Sequence, residues 1–250
     1  MVDFARREDA DILKSMWQRI FEDDEDTLDF FFDNVFIPEN TLVWRDQNRP
    51  EAMLYMIWNK EDGVYLYALA TEEKYRGLGI MSELIKKALD ILTKNDARYV
   101  FLIPASDSLF SYYKKYGFSK TIDVTSAKIT SGRESGDICL KDMDREALMQ
   151  LVKMEWEREC RPKWDEAVME YVIFLEDKEE EYRFVSINNN GRCLGYMVLK
   201  DEGLSESVVQ YGMTDECFMW LMGEEGIREK GLVFPIGGNI PHTICGFIPY

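Results

Sequence analysis

The 250-residue sequence has a single histidine, His242, and five cysteines with no Cys-x-x-Cys pair among them. A zinc site or a histidine-based catalytic triad therefore has very little to build on. The cysteines (Cys139, Cys160, Cys193, Cys217 and Cys245) are odd in number and far apart. They read as reduced and mostly core residues of a cytoplasmic protein, not as a disulfide framework. No apolar run approaches the roughly 18 residues of a membrane span. The opening residues, MVDFARREDADIL, hold no apolar stretch of the kind a signal peptide needs. Basic residues are scarce as well: 30 Lys+Arg against 47 Asp+Glu give a formal net charge of -17. That balance argues against nucleic acid and against an anionic membrane surface as partners.

What is present suffices for a core. Hydrophobic residues make up 46% and charged residues 31%, the composition of a globular chain and not of a disordered one. At roughly 150 residues per domain the length allows one large domain or two small ones.

An internal repeat favours two. Ile12, Leu13, Met16, Trp17, Ile20 and Phe21 form a helical stripe opened by Asp9 as the expected N-cap. At an offset of 135 the pattern returns as Ala147, Leu148, Leu151, Val152, Glu155 and Trp156, opened by Asp144. Short β-rich runs follow in the same order in both halves. TLVW (41–44), MLYMIW (53–58) and VYLYALAT (64–71) correspond to YRFVSI (182–187), CLGYMVLK (193–200) and SVVQYGMT (207–214). NNNG (188–191) is a hairpin signal. The alternative is two unrelated α+β stretches that happen to align. The duplication reading gives an α+β fold of two tandem units, 1–133 and 134–250, joined by the Ser/Gly-rich TSGRESGD (130–137). Each unit is expected to hold a mostly antiparallel sheet flanked by helices.

The copies differ at one point. After VYLYALAT the first has EEKYRGLGIM and a helix over 82–92, whereas the second passes from QYGMT almost directly into ECFMWLM. What the second copy lacks is the glycine-containing loop, which in the first joins the strand 64–71 to a helix start. Its two glycines allow a sharp turn and close approach to a ligand. The helix N-terminus that follows favours an anion such as a diphosphate. Arg76 adds charge for phosphate oxygens. The first half is also the less acidic, at net -5 against -12. Gly-x-Gly before a helix is weak evidence alone, since a ligand-free strand-to-helix turn reads the same.

The run Arg76–Gly77–Leu78–Gly79–Ile80–Met81 resembles motif A of the GNAT superfamily of acyl-CoA-dependent N-acyltransferases, Arg/Gln-x-x-Gly-x-Gly/Ala. Met81 departs from it by standing where the last small residue belongs. YVFLIPASDSLFSYYKKYGF (99–118) is similar to motif B, with Tyr113 at the position of the family's catalytic tyrosine and Gly117–Phe118 as the closing pair. Phe110, Tyr116 and Phe118 read as core. Over about 1–120 the sequence looks like the first domain of the enhanced-intracellular-survival type of tandem GNAT proteins, without their sterol-carrier-like domain.

The resemblance implies acetyl-CoA as cosubstrate. Leu69, Ala70 and Thr71 would hold the pantetheine arm, and the N–H groups of Arg76, Gly77, Leu78, Gly79, Ile80 and Met81 the diphosphate. It implies direct attack by a primary amine, with Tyr113 as acid. The base is left open between a carboxylate and a water chain, with the Tyr250 carboxylate a candidate by analogy with the tandem relatives. His242 reads as structural, and no metal is expected. The acidic runs EDDED (22–26) and EDKEEE (176–181) read as solvated loops. If the first faces the acceptor, it suits a cationic small molecule or peptide amine. A non-catalytic CoA-binding or interaction module, another acyl group, and oligomerisation all stay open.

Overall fold

The computed structural model describes every residue except 61, 130–137, 156–163, 202–205, 213–223, 236–242 and 246–250. Two compact units emerge, Met1–Ile122 with Gly231–Pro241, and Asp123–Lys230 with His242–Tyr250.

The first unit opens with β1 (Val2–Phe4), α1 (Ala10–Phe21) and α2 (Glu25–Asn34). The α1 stripe buries Leu13, Met16 and Trp17, while Phe21 at its end stays exposed. Asp9 stands at the head of α1 but its carboxylate makes no capping bond to the helix. It accepts from Arg45 instead, Nη1 at 2.8 Å and Nη2 at 2.6 Å, and from the Arg6 N–H at 2.6 Å. Both side chains are buried. Asp24 does cap α2, accepting from the Thr27 N–H at 3.0 Å.

A meander follows: β2 (Thr41–Asp46), β3 (Arg49–Trp58) and β4 (Gly63–Thr71). β1 to β4 pair antiparallel in sequence order. α3 (Ile80–Lys94) then crosses over to β5 (Tyr99–Leu102), which lies parallel to β4, as parallel pairing requires a crossover element. α4 (Asp107–Lys114) closes the series.

Strand alternation sorts the two faces. Val64 and Leu66 join Leu54 and Met56 in a cluster with Leu84, Ile85 and Ala88 of α3. Tyr65 and Tyr67 belong to the other face. There Trp17 of α1 and Phe31 of α2 meet Tyr55 and Tyr67, with ring centroids 4.7–5.9 Å apart. α1 and α2 thus cover one side of the sheet and α3 the other.

The second unit holds β6 (Lys120–Ile129) from Asp123 onward, β7 (Ile138–Met143), α5 (Arg145–Glu155), α6 (Glu166–Asp177), β8 (Tyr182–Asn189), β9 (Arg192–Asp201) and β10 (Glu206–Gly212). Its antiparallel pairs are β7–β8, β8–β9, β9–β10 and β10–β6. Asp144 caps α5 by accepting from the Ala147 N–H at 2.8 Å. β7, two helices and the β8–β9–β10 meander repeat the order of β1, two helices and β2–β3–β4, in line with a second copy of the unit. Glu176 belongs to the buried end of α6, so the run EDKEEE is not wholly solvated. The remaining strands are β11 (Glu224–Pro235) and β12 (Thr243–Cys245). Leu232–Pro235 of β11 pairs antiparallel with β5, while β12 runs parallel to β6. Among the described residues no helix is long and apolar enough to cross a membrane.

Candidate active site

β4 and β5 stay together only briefly. Their parallel pairs are Gly63↔Tyr99, Val64↔Val100 and Tyr65↔Phe101. β4 then continues to Thr71 whereas β5 ends at Leu102. Along Leu66–Thr71 the β5-facing edge of β4 has no strand pairing among the described residues. An unpaired edge presents N–H and C=O groups ready for an extended ligand.

On the opposite edge β4 carries a bulge. Met53 pairs with Ala70 and Tyr55 with Tyr67, so Leu54 alone faces both Ala68 and Leu69. Ala68 sits at φ 45°, a left-handed conformation that is costly for a residue with a side chain and that clusters at functional sites. A bulge re-aims the backbone groups beside it. The sequence signal was slight: the aromatic alternation of β4 stops after Tyr67.

Beyond Thr71 the chain makes a short 3-10 turn (Glu73–Tyr75), then the loop Arg76–Gly79, then α3. Gly77 and Gly79 stand at φ 79° and 80°. A Cβ built on either would meet nothing within 4 Å, so the left-handed backbone, not crowding within the fold, calls for glycine there. Together they turn the loop so that α3 begins directly behind it, and its first free N–H groups attract negative charge. The loop is open to an acyl-CoA diphosphate and its residues suit one. Arg76 is exposed, and its Nε donates to the Thr71 carbonyl at 3.0 Å. Leu78 is exposed, whereas Met81 packs against the α3-side core. The Met81 side chain thus turns inward and leaves the loop face clear.

The loop is braced from below. Tyr75 donates from its hydroxyl to Asp46 at 2.5 Å and its ring lies 5.3 Å from that of Trp44. Lys74 reaches the buried carboxylate of Glu51 at 3.1 Å. Arg19 of α1 pairs with Glu72. None of these braces was legible in the sequence, because their partners are distant along the chain.

Tyr113 lies on α4, 8% exposed, in the same buried cluster as Leu66 and Leu102, which follow the last paired residues of β4 and β5. Burial, reinforced by the neighbouring Tyr112 and Tyr116 phenols, pushes its pKa up to about 12. Tyr112 is likewise raised to about 12, first by burial and then by its bond to Tyr116. Tyr116 and Ser82 share a hydrogen bond between their hydroxyls, which ties the turn after α4 to the first turn of α3. The sequence reading of Tyr116 as plain core missed this polar contact. Phe118 is fully buried.

The acidic turn between α1 and α2 is partly committed to the fold. Asp23 accepts from the Trp17 indole N–H at 2.6 Å and Asp24 caps α2. Glu22, Glu25 and Asp26 are exposed. Tyr250 and His242 lie outside the described residues, as do the linker 130–137 and the run ECFMWLM.

Comparison with known proteins agrees with this geometry. Residues 10–118 match the model of the acetyltransferase (GNAT) family. No curated protein matches the sequence. Among solved structures, a GCN5-related N-acetyltransferase from Anabaena variabilis has a TM-score of 0.63 at 13% identity, over 95% of this chain and 73% of that one. A probable N-acyltransferase from Enterococcus faecalis gives 0.63 at 11%, over 95% and 72%. Eis1 from Mycobacterium abscessus gives 0.62 at 11%, over 94% and 74%. At such identities the likeness to these structures is one of fold. The family match spans residues 10–118, the segment that holds the parted strands and the glycine loop.

Proposed function

We propose that this protein moves an acetyl group from acetyl-CoA to a primary amine of a cationic acceptor. The family match and the fold support acyl-CoA N-acetyltransferase activity. The observation that carries the reading is the parting of β4 from β5 directly ahead of a two-glycine loop and a helix N-terminus.

In this reading the N–H groups from Arg76 to Met81 hold the diphosphate, with the Arg76 guanidinium as counter-charge. Backbone groups of Leu69, Ala70 and Thr71 hold the pantetheine arm at the free edge of β4. Amides re-aimed by the Ala68 bulge polarise the thioester carbonyl, a role worth about 2.7–4 kcal/mol per donor in measured cases. The acceptor amine attacks that carbonyl, a C–N bond forms, the C–S bond breaks, and the amine's proton leaves to a water chain or carboxylate. Alignment of the two reactants supplies much of the acceleration.

Tyr113 serves the departing sulfur. With a pKa near 12 the phenol is protonated at every physiological pH. Full transfer to a thiolate of ordinary pKa, about 8.5, is uphill. Tyr113 therefore helps chiefly by donating a hydrogen bond to the sulfur as charge develops. The cationic acceptor is argued from Glu22 in the α1–α2 turn and Glu25 and Asp26 at the start of α2, together with the chain's net charge of -17, which draw cations by long-range attraction.

Calorimetric titration with acetyl-CoA, followed by a thiol-release assay over polyamines, aminoglycosides and lysine peptides, tests the reading. Micromolar binding and amine-dependent thiol release are expected. Absence of binding at millimolar acetyl-CoA would leave a non-catalytic module as the better account.

A further inference from the structure

Three hydroxyls meet between α3 and α4. Ser82 stands in the first turn of α3, and its hydroxyl shares a hydrogen bond with that of Tyr116 in the turn after α4. The Tyr112 phenol on α4 interacts with both. Its ring lies 5.2 Å from that of Tyr116 and 5.2 Å from that of Tyr113. The Tyr116 ring could pack equally well as phenylalanine, so packing does not explain the hydroxyl.

The contact joins two parts of the site that are 34 residues apart in the chain. Ser82 belongs to the helix start behind the glycine loop. Tyr116 is fixed to the backbone of Tyr113, whose carbonyl accepts from the Tyr116 N–H at 2.9 Å. α4 has little to hold it in place on its own. It is eight residues long, and Ser106 at its head makes no capping bond to the helix; a helix of that length depends on its tertiary contacts. Those contacts are the packing of Leu109, Phe110 and Tyr113 with the α3-side cluster and the hydroxyl tie to α3. Apolar packing is non-directional, whereas a hydrogen bond fixes distance and direction.

We propose that Tyr116 is a positioning residue for the transfer step: its bond to Ser82 sets α4, and with it the Tyr113 phenol, at a fixed place relative to the helix start that receives the diphosphate. The inference rests on the acyl-CoA reading above and adds a residue that touches neither substrate nor cofactor. Tyr116 acts through Tyr113 alone. Its hydroxyl therefore matters to turnover only while the Tyr113 hydroxyl is present.

Tyr116→Phe keeps the ring and deletes the hydroxyl. Steady-state kinetics with the best amine of the thiol-release panel, beside acetyl-CoA calorimetry, test the proposal. In the wild-type background the change is expected to lower kcat about tenfold, the scale of a reacting group displaced by part of an ångström. Acetyl-CoA affinity should stay within about threefold. Ser82→Ala should lower kcat alike, and the two changes together should cost no more than either alone, since they remove one bond. The same Tyr116→Phe change made in a Tyr113→Phe background should lower kcat by less than about twofold further. An equal fall in both backgrounds overturns the proposal, because a hydroxyl that only supports the fold would act whether or not Tyr113 keeps its own. Unchanged kcat in Tyr116→Phe overturns it as well. So does a loss of acetyl-CoA affinity of about tenfold in that variant, which would mark the hydroxyl pair as a ligand contact. Failure of the wild type to bind acetyl-CoA, seen before any variant is made, removes the underlying reading and this inference with it.

Discussion

Arg76 donates from Nε to the carbonyl oxygen of Thr71 at 3.0 Å, so the side chain folds back across the loop it belongs to. The guanidinium thereby braces the end of β4 while its remaining N–H groups stay exposed and free to meet an anion. Replacement by alanine removes both the brace and the charge. Arg76→Ala is expected to weaken acetyl-CoA binding by about 10- to 100-fold, in line with a charge-assisted hydrogen bond of about 1.5–3 kcal/mol. Arg76→Lys restores the charge but not the fork, and calorimetry should place it between the two.

Gly79 precedes the first residue of α3 at φ 80°. An alanine there meets no steric neighbour, so its cost is that of the left-handed backbone, about 1–2 kcal/mol. Gly79→Ala should lower the melting temperature by several degrees and, because the loop relaxes away from its ligand-ready turn, reduce acetyl-CoA affinity as well. Full affinity in this variant would show that the loop conformation is not the binding one.

Tyr113→Phe keeps the buried ring and deletes the hydroxyl. Loss of a hydrogen bond made only as the sulfur departs lowers kcat, by about 100-fold or more, and leaves ground-state binding alone. Acetyl-CoA affinity should stay within about threefold of the wild type. Steady-state kinetics beside calorimetry measure the split, and equal turnover in the two proteins would remove Tyr113 from the mechanism.

The same phenol makes a pH prediction. Burial first, then Tyr112 and Tyr116, raise its pKa to about 12, so the folded state favours the neutral form. The sign follows: this stability is fully present below the unfolded tyrosine value of about 10 and is lost as pH rises toward 12. Spectrophotometric titration of the native protein should show Tyr112 and Tyr113 ionising well above the ordinary tyrosine value. Tyr113→Phe should remove one late-titrating group and soften the alkaline unfolding between about pH 10 and 12.

Asp9 and Arg45 are both buried and joined by two hydrogen bonds. Burial tends to raise the Asp9 pKa, but the bonds from Arg45 and the Arg6 amide outweigh it and hold the pKa below the ordinary carboxylate value. The stability this confers is present above about pH 4 and is lost as pH falls through the lowered native pKa. Asp9→Asn strands the guanidinium and should destabilise the protein by about 3–5 kcal/mol. Denaturant unfolding of the single variants and of the double variant Asp9→Leu/Arg45→Met checks this, with the double expected to be the milder.

Local regularities showed in the sequence wherever local physics set them. The alternation of VYLYALAT marked β4, the 3.6-residue stripe marked α1 and α3, and Gly77 and Gly79 marked a turn that only glycine adopts easily. Asp144 announced the start of α5 by a bond three residues away. Asp9 looked the same on paper, yet its carboxylate went to Arg45, 36 residues on. The motif also left the direction of Met81 open, because a side chain at a helix start can face the ligand or the core; packing against the cluster under α3 settled it.

The sequence alone determined the elements and the charge of this protein, because helix stripes, strand alternation, turn glycines and an excess of acids act over a few residues or over the whole composition. The tertiary structure decided the site. The parting of β4 from β5, the doubling of Ala68 and Leu69 opposite Leu54, and the meeting of Ser82 with Tyr116 each depend on which element lies beside which. Such relations are set by packing between residues far apart in the chain, where no local pattern records them.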